Sequence, residues 1–310
     1  MIITVTLNPA VDRIMFIDKL VKNSTNRAYK IVDVLGGKGT HVSVDLDILG
    51  YDSTAFGIDY GENGRKIEKM LNGGHIHEEF LHFDKGESRT NYAIIESNGD
   101  CSMVAEHGKM VSADICRELV ESIDRKLKKD DCLVLSGDAS NTEIPFLYGE
   151  LTSLGSRKGA KVFLDTSAEN LKKAIEKRPF LVKPNIEELS QVIGNKITAE
   201  KEIVSGIHFL RDKGISCVAL TCGENGSYIS YQDEIYRVES VRVKAVNTIG
   251  CGDAFLSGMV YGFDKGLDIK ETISYAAAIS LATAESSLTV GYDLSRAMEL
   301  RKEVRIITLH

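Results

Sequence analysis

The sequence predicts an α/β protein in which a mainly parallel sheet lies between two layers of helices and a small second sheet projects from this body. Its 310 residues, 43% hydrophobic and 27% charged, supply enough apolar surface for a large core. From Asp131 onward, short apolar runs alternate with amphipathic stretches, which is typical of parallel βαβ units. Between Met1 and Ala105, several segments instead alternate apolar and polar residues, which favours a separate sheet with one wet face.

The second half of the chain is predicted to alternate strands and helices. The strands are Cys132–Leu135, Lys161–Leu164, Phe180–Val182 and Ser216–Thr221, followed by β-like segments through Val246. The helices lie near Thr142–Arg157, Ala168–Lys177, Lys201–Lys213, Asp253–Phe263 and Ile269–Ala284. Because strands alternate with helices, the sheet is expected to be mainly parallel, with helices on both faces.

The first half combines α/β segments with pieces of the second sheet. Its N-terminal residues read as a strand, and helices are predicted from Lys38 and near Gly64–Leu71. The alternating segments, which predict a small antiparallel sheet, are Asp12–Asp18, Arg27–Val34, Arg89–Glu96 and Cys101–Ala105. A sheet assembled from such discontinuous pieces could act as a lid over a cleft.

Charge and cysteine content disfavour several classes of function. The 38 basic and 45 acidic side chains give a net charge of −7, which argues against nucleic acid as a partner. No window approaches the roughly 18–20 apolar residues of a membrane span, and the N-terminus lacks the positive leader of a signal peptide. Six scattered cysteines without a C-x-x-C pair predict reduced thiols. We therefore expect a cytoplasmic protein with no membrane partner.

The strongest local signal is the segment VNTIGCGDAF, from Val246 to Phe255. Gly250 and Gly252 lie just before a predicted helix, so the backbone can turn sharply and direct several N–H groups at one anion. Asp253 would lie in the first turn of that helix, where a carboxylate beside a bound phosphate can take the proton of an attacking hydroxyl. The residues alone leave a second interpretation equally open, in which Asp253 only caps the helix.

Two further glycine-rich segments predict turns that could bind an anion or a nucleotide. The segment LGGKGTH at Leu35–His41 joins a β-like run to a helix, with Lys38 as the cation, although an ordinary turn fits as well. The segment TCGENGS at Thr221–Ser227 follows a strand, where a nucleotide could approach the backbone, and a hairpin turn is equally compatible. Neither G-x-x-x-x-G-K-[ST] nor G-x-G-x-x-G after a strand is present, which disfavours P-loop enzymes and Rossmann dehydrogenases.

A cluster of histidines and glutamates invites a metal-site interpretation that its spacing does not support. His75, His77, Glu78, Glu79 and His82 miss the H-E-x-x-H pattern, and on a strand they would divide between the two faces. A structural or solvated role is therefore predicted for these side chains.

Four motifs in one order resemble those of the ribokinase-like carbohydrate kinases. The segments Gly36–Gly39 and Asn247–Phe255 are similar to the two signatures of that family in residues and separation. TLNPAVD at Thr6–Asp12 and KPNIEEL at Lys183–Leu189 resemble the branch that contains 1-phosphofructokinase and tagatose-6-phosphate kinase. The resemblance covers essentially the whole chain.

The resemblance implies a fold, and an exposed lid in that fold suggests a dimer. It implies one domain over residues 1–310, built as a three-layer α/β sandwich around a mainly parallel sheet. A small β-sheet lid over the sugar site would be built from residues about 11–35 and 88–106. A homodimer through the lid is a further expectation, because an exposed sheet offers edges and a face to a partner subunit.

The resemblance also implies ATP and Mg²⁺ as cofactors and gives several residues a role. Asp253 matches the catalytic base, and the anion hole for the transferring phosphoryl group matches Gly250, Cys251 and Gly252. The nucleotide side is implied for Lys183, Asn185, Thr221, Gly223 and Gly226. Asn185 and Glu188 are implied to organise Mg²⁺, through water. The sugar side is implied for Asp12, Gly37, Lys38 and His41.

A phosphate already present on the acceptor calls for fixed positive charge. Arg27 and Arg89, both on predicted lid strands, resemble basic positions used in this way, although they could also be ordinary solvent-facing residues. Among the departures from the family pattern, His41 stands where Asn is usual and Cys251 replaces the common Ala or Ser. An imidazole at position 41 would meet a sugar hydroxyl and could shift the acceptor preference.

The expected function is therefore an ATP-dependent kinase of a ketohexose monophosphate. Fructose 1-phosphate, giving fructose 1,6-bisphosphate, is the first expectation. Tagatose 6-phosphate is the alternative, because the two acceptors present phosphate and reactive hydroxyl from opposite ends. A nucleotide- or sugar-phosphate-binding protein without catalysis is a third candidate, which the retained Asp253 and glycines disfavour.

Overall fold

The computed structural model describes residues 1–309. The strands, numbered in chain order, are β1 Ile2–Thr6, β2 Ala10–Ile17, β3 Lys30–Gly36, β4 Ser53–Tyr60, β5 Ile76–Phe83, β6 Arg89–Glu96, β7 Cys101–Ala105, β8 Cys132–Ser136, β9 Lys161–Asp165, β10 Leu181–Val182, β11 Cys217–Thr221, β12 Ser227–Tyr231, β13 Glu234–Val238 and β14 Ile306–Leu309. The α-helices are α1 Lys38–Ile48, α2 Gly61–Leu71, α3 Ala113–Lys126, α4 Leu147–Lys158, α5 Ala168–Ile175, α6 Ile186–Ile193, α7 Glu200–Asp212, α8 Cys251–Lys265, α9 Ile269–Ala284 and α10 Leu294–Arg301.

The larger of two sheets in residues 1–309 has ten strands, in the order β14-β13-β12-β11-β10-β9-β8-β1-β4-β5. The seven neighbouring strands β11-β10-β9-β8-β1-β4-β5 of this sheet all pair in parallel. β12, β13 and β14 extend the sheet in antiparallel pairs, because hairpins join β11 to β12 and β12 to β13. The sheet is therefore mainly parallel, as the alternation of strands and helices predicted.

Two layers of helices cover the large sheet. Alternate strand residues point to opposite faces, so Ile3 and Val5 join one core cluster while Ile2 joins the other. The first cluster is completed by side chains of α3 through α7, and the second by side chains of α1, α8 and α9. This arrangement confirms the predicted three-layer sandwich.

A second sheet, the small sheet, contains the four strands β3-β2-β6-β7 of the described chain. Its outer pairs β2–β3 and β6–β7 are antiparallel, as predicted, because each is joined directly along the chain. The central pair β2–β6 is parallel, a feature that alternation alone did not indicate. The two strands can run parallel because α1, β4, α2 and β5 separate them in sequence.

Several elements were not predicted, and one boundary was wrong. No helix was predicted over α3, α6 or α10. β3 begins at Lys30, so Arg27 precedes the strand on which it was placed. The side chain of Asn26 forms hydrogen bonds with the backbone of Val21 and Ser24, which holds this segment in a loop. The six cysteines are free thiols, and no helix in residues 1–309 is long and apolar enough to cross a bilayer.

Candidate active site

A cleft lies between the carboxyl ends of the parallel strands and the small sheet. Its volume is about 360 Å³, which is enough for a small polar ligand. Thr6 and Ser136, the last residues of neighbouring strands β1 and β8, lie at its base, and Met103 and Ala105 of β7 lie at its rim. Ligands of parallel sheets commonly bind at this edge, so the topology identifies the cleft as the candidate site.

The cleft brings together many of the residues predicted from the glycine-rich motifs. Its lining includes Asp12, Gly37, Lys38, His41, Arg89, Gly250, Gly252 and Asp253. It also includes polar residues that were not predicted, namely Thr6, Asn8, Asn91, Ser136 and Asp138. The buried oxygens Thr6 Oγ1, Ser136 Oγ and Asn91 Oδ1 have no hydrogen-bond partner among the described residues. Unpaired polar atoms of this kind offer partners to a ligand rich in hydroxyl groups.

The N-terminus of α8 has the geometry of an anion site. Gly250 precedes the helix with a positive φ of 82°, and a Cβ there would overlap the carbonyl oxygen of Thr289, so both conformation and contact require glycine. No side chain caps this helix. The N–H of Cys251 donates to the Thr248 carbonyl over 3.4 Å, and the next backbone N–H groups are available to a ligand. The dipole of α8 adds partial positive charge at the same point.

Asp253 lies in the first turn of α8 and is only 5% exposed. Its Oδ2 accepts a hydrogen bond from the side chain of His41 over 2.7 Å and does not bond to the helix backbone. The interpretation of Asp253 as a mere helix cap is therefore wrong. The carboxylate lies beside the uncapped helix start and can accept a proton from a hydroxyl group bound there.

His41 lines the cleft, but both of its ring nitrogens are already bonded. Nδ1 contacts Asp253, and Nε2 lies 3.1 Å from the carbonyl oxygen of Leu35. The expected contact between this imidazole and a sugar hydroxyl therefore has no unbonded ring nitrogen to use.

Two lysines, Lys38 of the cleft lining and Lys183 outside it, share one buried carboxylate. Lys38 Nζ lies 3.3 Å and Lys183 Nζ 3.2 Å from different oxygens of Asp165, which ends β9 and is 1% exposed. Burial opposes ionisation of Asp165, but the two ammonium groups outweigh it and hold its pKa below the usual range. The charge of Asp165 in turn raises the pKa of Lys38. The arrangement fixes two cations near the start of α8, because Lys183 also lies beside Gly252.

Asp12 and Arg89 form the part of the cleft contributed by the small sheet. Asp12 accepts hydrogen bonds from Asn91 Nδ2 at 2.8 Å and Thr289 Oγ1 at 3.2 Å. Burial raises the pKa of Asp12, and its polar neighbours partly oppose the shift. The Arg89 guanidinium donates to the backbone carbonyls of Asn8 and Glu106, over 3.1 and 3.2 Å. These bonds fix its orientation and leave Nη2 without a partner in the described chain.

The proposed metal residues are held in a capping box at the start of α6. Asn185 Oδ1 accepts from the backbone N–H of Glu188, and Glu188 Oε2 accepts from the backbone N–H of Asn185, both over 2.9 Å. The second carboxylate oxygen of Glu188 makes no hydrogen bond within residues 1–309, and the charge of Glu188 contributes to the raised pKa of Lys38. Thr221 lies beside Asn185 through an isolated parallel bridge.

The remaining predicted residues lie outside the cleft lining. Gly223 and Gly226 belong to the turn between β11 and β12, so the hairpin interpretation of that segment is confirmed. Cys251 is the first residue of α8, and burial raises the pKa of its thiol to about 12. Arg27 is exposed in the loop before β3 and lies outside the cleft lining.

Asp165 and Asp45 were missed by sequence reasoning. Asp165 ends a short apolar strand without a glycine motif, although a carboxylate at the carboxyl end of a parallel strand is a usable signal. Asp45 lies one turn after His41 on the buried face of α1, and an acidic residue within an otherwise buried helix face is a similar signal.

An anion site beside a carboxylate and paired cations, in a cleft of this fold, defines a phosphotransferase that acts on an alcohol group. A model of the pfkB family carbohydrate kinases matches residues 5–293. The chain belongs to this family, whose members transfer phosphate to a sugar hydroxyl.

Individual relatives match almost the full length. A 1-phosphofructokinase from Borreliella burgdorferi is 31% identical over 288 residues, which are 92% of each chain. A 1-phosphofructokinase from Haemophilus influenzae is 28% identical and covers 98% of this chain and 97% of its own. A tagatose-6-phosphate kinase from Staphylococcus epidermidis is 27% identical over 99% of both chains. Phosphofructokinase-2 from Escherichia coli superimposes with a TM-score of 0.90 at 21% identity, over 97% of this chain and 98% of its own, and shares the fold.

Proposed function

We propose that this kinase transfers the γ-phosphate of ATP to a ketohexose monophosphate, with fructose 1-phosphate as acceptor and fructose 1,6-bisphosphate as product. The observation that carries the proposal is the position of Asp253, a buried carboxylate beside an uncapped helix start that has two lysines near it. A base, an anion site and fixed cations are the parts that phosphoryl transfer needs.

Asp253 is the proposed general base. Its carboxylate takes the proton of the acceptor's primary hydroxyl as the oxygen attacks the γ-phosphorus in line, and the bond from phosphorus to the bridging oxygen of ADP breaks. The backbone N–H groups contributed by Gly250, Cys251 and Gly252 stabilise the charge on the transferring group, with Lys183 and Lys38 beside them. These groups are fixed before substrate binds, so little reorganisation is needed during transfer.

The acceptor occupies the part of the cleft below the small sheet. Asp12 is proposed to bind sugar hydroxyls, with Gly37 and Lys38 on the same side. Arg89 is proposed to bind the phosphate already present on the sugar, because its guanidinium is held by two carbonyls and keeps a donor available. Arg27 remains a proposal from the sequence, since its exposed side chain lies outside the lining.

ATP is proposed to lie along the loops after β10 and β11. Lys183 would contact its phosphates, and Thr221, Gly223 and Gly226 would line the nucleotide site. Asn185 and Glu188 fit a Mg²⁺ ion that keeps its water shell, because the capping box uses only one of the two carboxylate oxygens of Glu188. Bound Mg²⁺ would neutralise part of the phosphate charge.

Tagatose 6-phosphate is the second candidate acceptor. The 27% identity to a tagatose-6-phosphate kinase is close to the 28–31% identity to the 1-phosphofructokinases, so identity only slightly favours fructose 1-phosphate. Both bisphosphate products carry phosphates at their two ends. One pocket with Arg89 at one end and Asp253 at the other can accept either substrate.

The test is a kinetic comparison on purified protein. ADP release is followed with Mg-ATP and a panel of hexose phosphates, and kcat/KM is compared for fructose 1-phosphate and tagatose 6-phosphate. We expect turnover of both, with the higher kcat/KM for fructose 1-phosphate. A higher kcat/KM for tagatose 6-phosphate would make that sugar phosphate the preferred acceptor. Binding of ATP without any turnover would favour a binding protein.

We also propose that the small sheet is the lid of a single kinase domain and contributes to a homodimer. Tyr29, Ile31 and Val104 are apolar side chains of this region that are 58–63% exposed. A partner subunit that covered them would remove apolar surface from water. The free cysteines are consistent with a reducing, cytoplasmic environment, which is part of the same proposal.

A further inference from the structure

His41 contacts the proposed base from the neighbouring helix α1. Its two ring nitrogens face Asp253 Oδ2 at 2.7 Å and the Leu35 carbonyl oxygen at 3.1 Å. The side chain is only 5% exposed, so water cannot readily replace either partner. The other oxygen of Asp253, Oδ1, makes no hydrogen bond within residues 1–309.

The two partners of His41 fix the number of protons on its ring. A carbonyl oxygen only accepts, so Nε2 must carry a proton. An ionised carboxylate also only accepts, so Nδ1 carries a second proton whenever Asp253 is ionised. The alternative that keeps both bonds is a neutral imidazole facing a protonated Asp253, which cannot act as a base. The state of Asp253 that is ready for reaction therefore requires an imidazolium.

The surroundings of His41 favour this charge. Burial lowers its pKa, but the hydrogen bond that Nδ1 donates to Asp253 and the charges of Asp253, Asp12 and Asp45 outweigh burial and raise the pKa to about 9. These acids reach it from three elements, α8, β2 and α1. The charge of Arg89 lowers the pKa of Asp12, and the charge of Asp253 raises the pKa of Lys38. The Cys251 thiol beside Asp253 has a pKa raised to about 12.

We propose that His41 is a positioning residue for the base: its imidazolium holds Oδ2 of Asp253 and leaves Oδ1 to take the hydroxyl proton. The hydroxyl proton passes to Asp253, and His41 keeps both of its own protons throughout. When His41 loses one proton, an unprotonated Nδ1 faces the carboxylate and the bond is lost. This inference rests on the proposed function, since it assigns a partner to the same base.

The contact can be tested without turnover, by NMR of the full chain labelled with ¹⁵N-histidine. His41→Asn identifies the signal of His41 by its disappearance. We expect the ring of His41 to be an imidazolium at pH 7.5 and to titrate near pH 9. In Asp253→Asn, which leaves His41 in place, we expect a neutral ring at pH 7.5. A neutral ring in the unaltered protein, or no change in Asp253→Asn, would overturn the proposal.

The consequence for the reaction is tested by the pH profile of kcat/KM for the sugar phosphate. We expect kcat/KM to fall as the pH rises through about 9, and His41→Asn to lose this alkaline limb. At pH 7.5, His41→Asn is expected to lower kcat about tenfold while the KM for ATP stays unchanged, because a less firmly held base is misplaced. His75→Asn is the matched control, because His75 is exposed and pairs with Asp52 far from the cleft.

The outcomes separate this inference from the proposed function. An alkaline limb that persists in His41→Asn would arise from another group, such as Asp45, and would overturn the role of His41 alone. The kinase assignment would then stand. Absence of turnover with every sugar phosphate would overturn the proposed function, and with it any role of His41 in the reaction.

Discussion

The helices α1 and α8 begin in the same way but bring opposite charges into one cleft. Gly37 and Gly250 both precede their helices with a positive φ, 113° and 82°, and neither helix has a side-chain cap. The first turn of α1 contributes the cation Lys38, whereas the first turn of α8 contributes the carboxylate Asp253. An uncapped helix start attracts anions. Lys38 adds to the attraction for a phosphate at α1, whereas Asp253 opposes it at α8 and places there a group that can accept a proton.

The packing of the two helices explains how α8 tolerates that carboxylate. α8 is buried from Asp253 through Phe263, and His41 of α1 supplies a hydrogen bond to Asp253 from the side. The two helix starts are therefore one unit, in which α1 contributes a cation, Lys38, and the hydrogen-bond partner of the carboxylate, His41. Four changes test how far the two starts differ.

The largest expected effect is that of Asp253→Ala. Loss of the general base should lower kcat about 10²–10⁴-fold while ATP binding is retained, measured by ADP release and by ATP titration. Asp114→Ala is the matched control, because Asp114 lies in the first turn of α3, where it is exposed and can only support a helix. If Asp253→Ala kept full kcat, Asp253 would be no more than an acid in a first turn, like Asp114.

The next effect concerns the glycine that forms the start of α8. In Gly250→Ala, the strain of alanine at positive φ adds to an overlap of its Cβ with the Thr289 carbonyl. The loss in free energy of unfolding should therefore exceed that of the same substitution at a positive-φ glycine with no neighbour near the new Cβ. Gly266, at the C-terminus of the same helix, has a φ of 74° and nothing near its missing Cβ. Gly266→Ala should cost about 1–2 kcal/mol.

Denaturant unfolding and ADP release distinguish the two glycines. Gly250→Ala is expected to lose both stability and kcat, because the backbone N–H groups of the anion site move with it. Gly266→Ala is expected to lose stability alone. Equal losses of stability, with normal kcat in both variants, would mean that the turn before α8 has no special role.

The sequence could predict the start of α8 because its information is local. Two glycines, a following helix and an acid in its first turn all lie within Gly250–Phe255, and their geometry depends on neighbours in the chain. The three-layer fold was predictable for the same reason, because each strand and helix has its own period. The helix α3 carries the amphipathic pattern and Ser112 as a cap, so this signal was present and was overlooked.

The contacts between the helix starts could not be predicted, because they join residues that are distant in sequence. His41 and Asp253 are 212 residues apart, and Lys38 and Asp165 are 127 apart. The family resemblance placed His41 against a sugar hydroxyl, but tertiary packing places the carboxylate of α8 within its reach. The parallel pairing of β2 with β6 is a comparable case, since it also depends on what the intervening segments do.

Arg89→Ala separates sugar binding from catalysis. Loss of a charged hydrogen bond to the acceptor phosphate should raise the KM for the sugar phosphate about 10–100-fold and leave the KM for ATP nearly unchanged. Arg13→Ala is the control, because Arg13 belongs to β2 of the same small sheet but pairs with Asp33 outside the cleft. Equal changes in both KM values would remove Arg89 from the acceptor site. Arg27→Ala in the same assay tests whether the loop before β3 contributes.

The smallest expected effect lies on the buried face of α1. Asp45 is 1% exposed and one of its oxygens has no hydrogen-bond partner in the described chain, so burial raises its pKa to about 8. An acid with a raised pKa binds its proton more tightly in the folded state, so stability falls as the pH rises from its ordinary value near 4 through 8. Asp45→Asn removes this loss.

Thermal unfolding at two pH values measures the effect of Asp45→Asn. Relative to the unaltered protein, the variant should gain about 2–5 °C in Tm between pH 6 and pH 9. A separate decline remains in both proteins, because the raised pKa of His41 contributes stability below pH 6.5 that is lost as the pH rises through 9. If the two proteins declined in parallel, Asp45 would already be ionised at pH 6 in the fold, and the buried carboxylates of Asp45 on α1 and Asp253 on α8 would both face the His41 imidazolium.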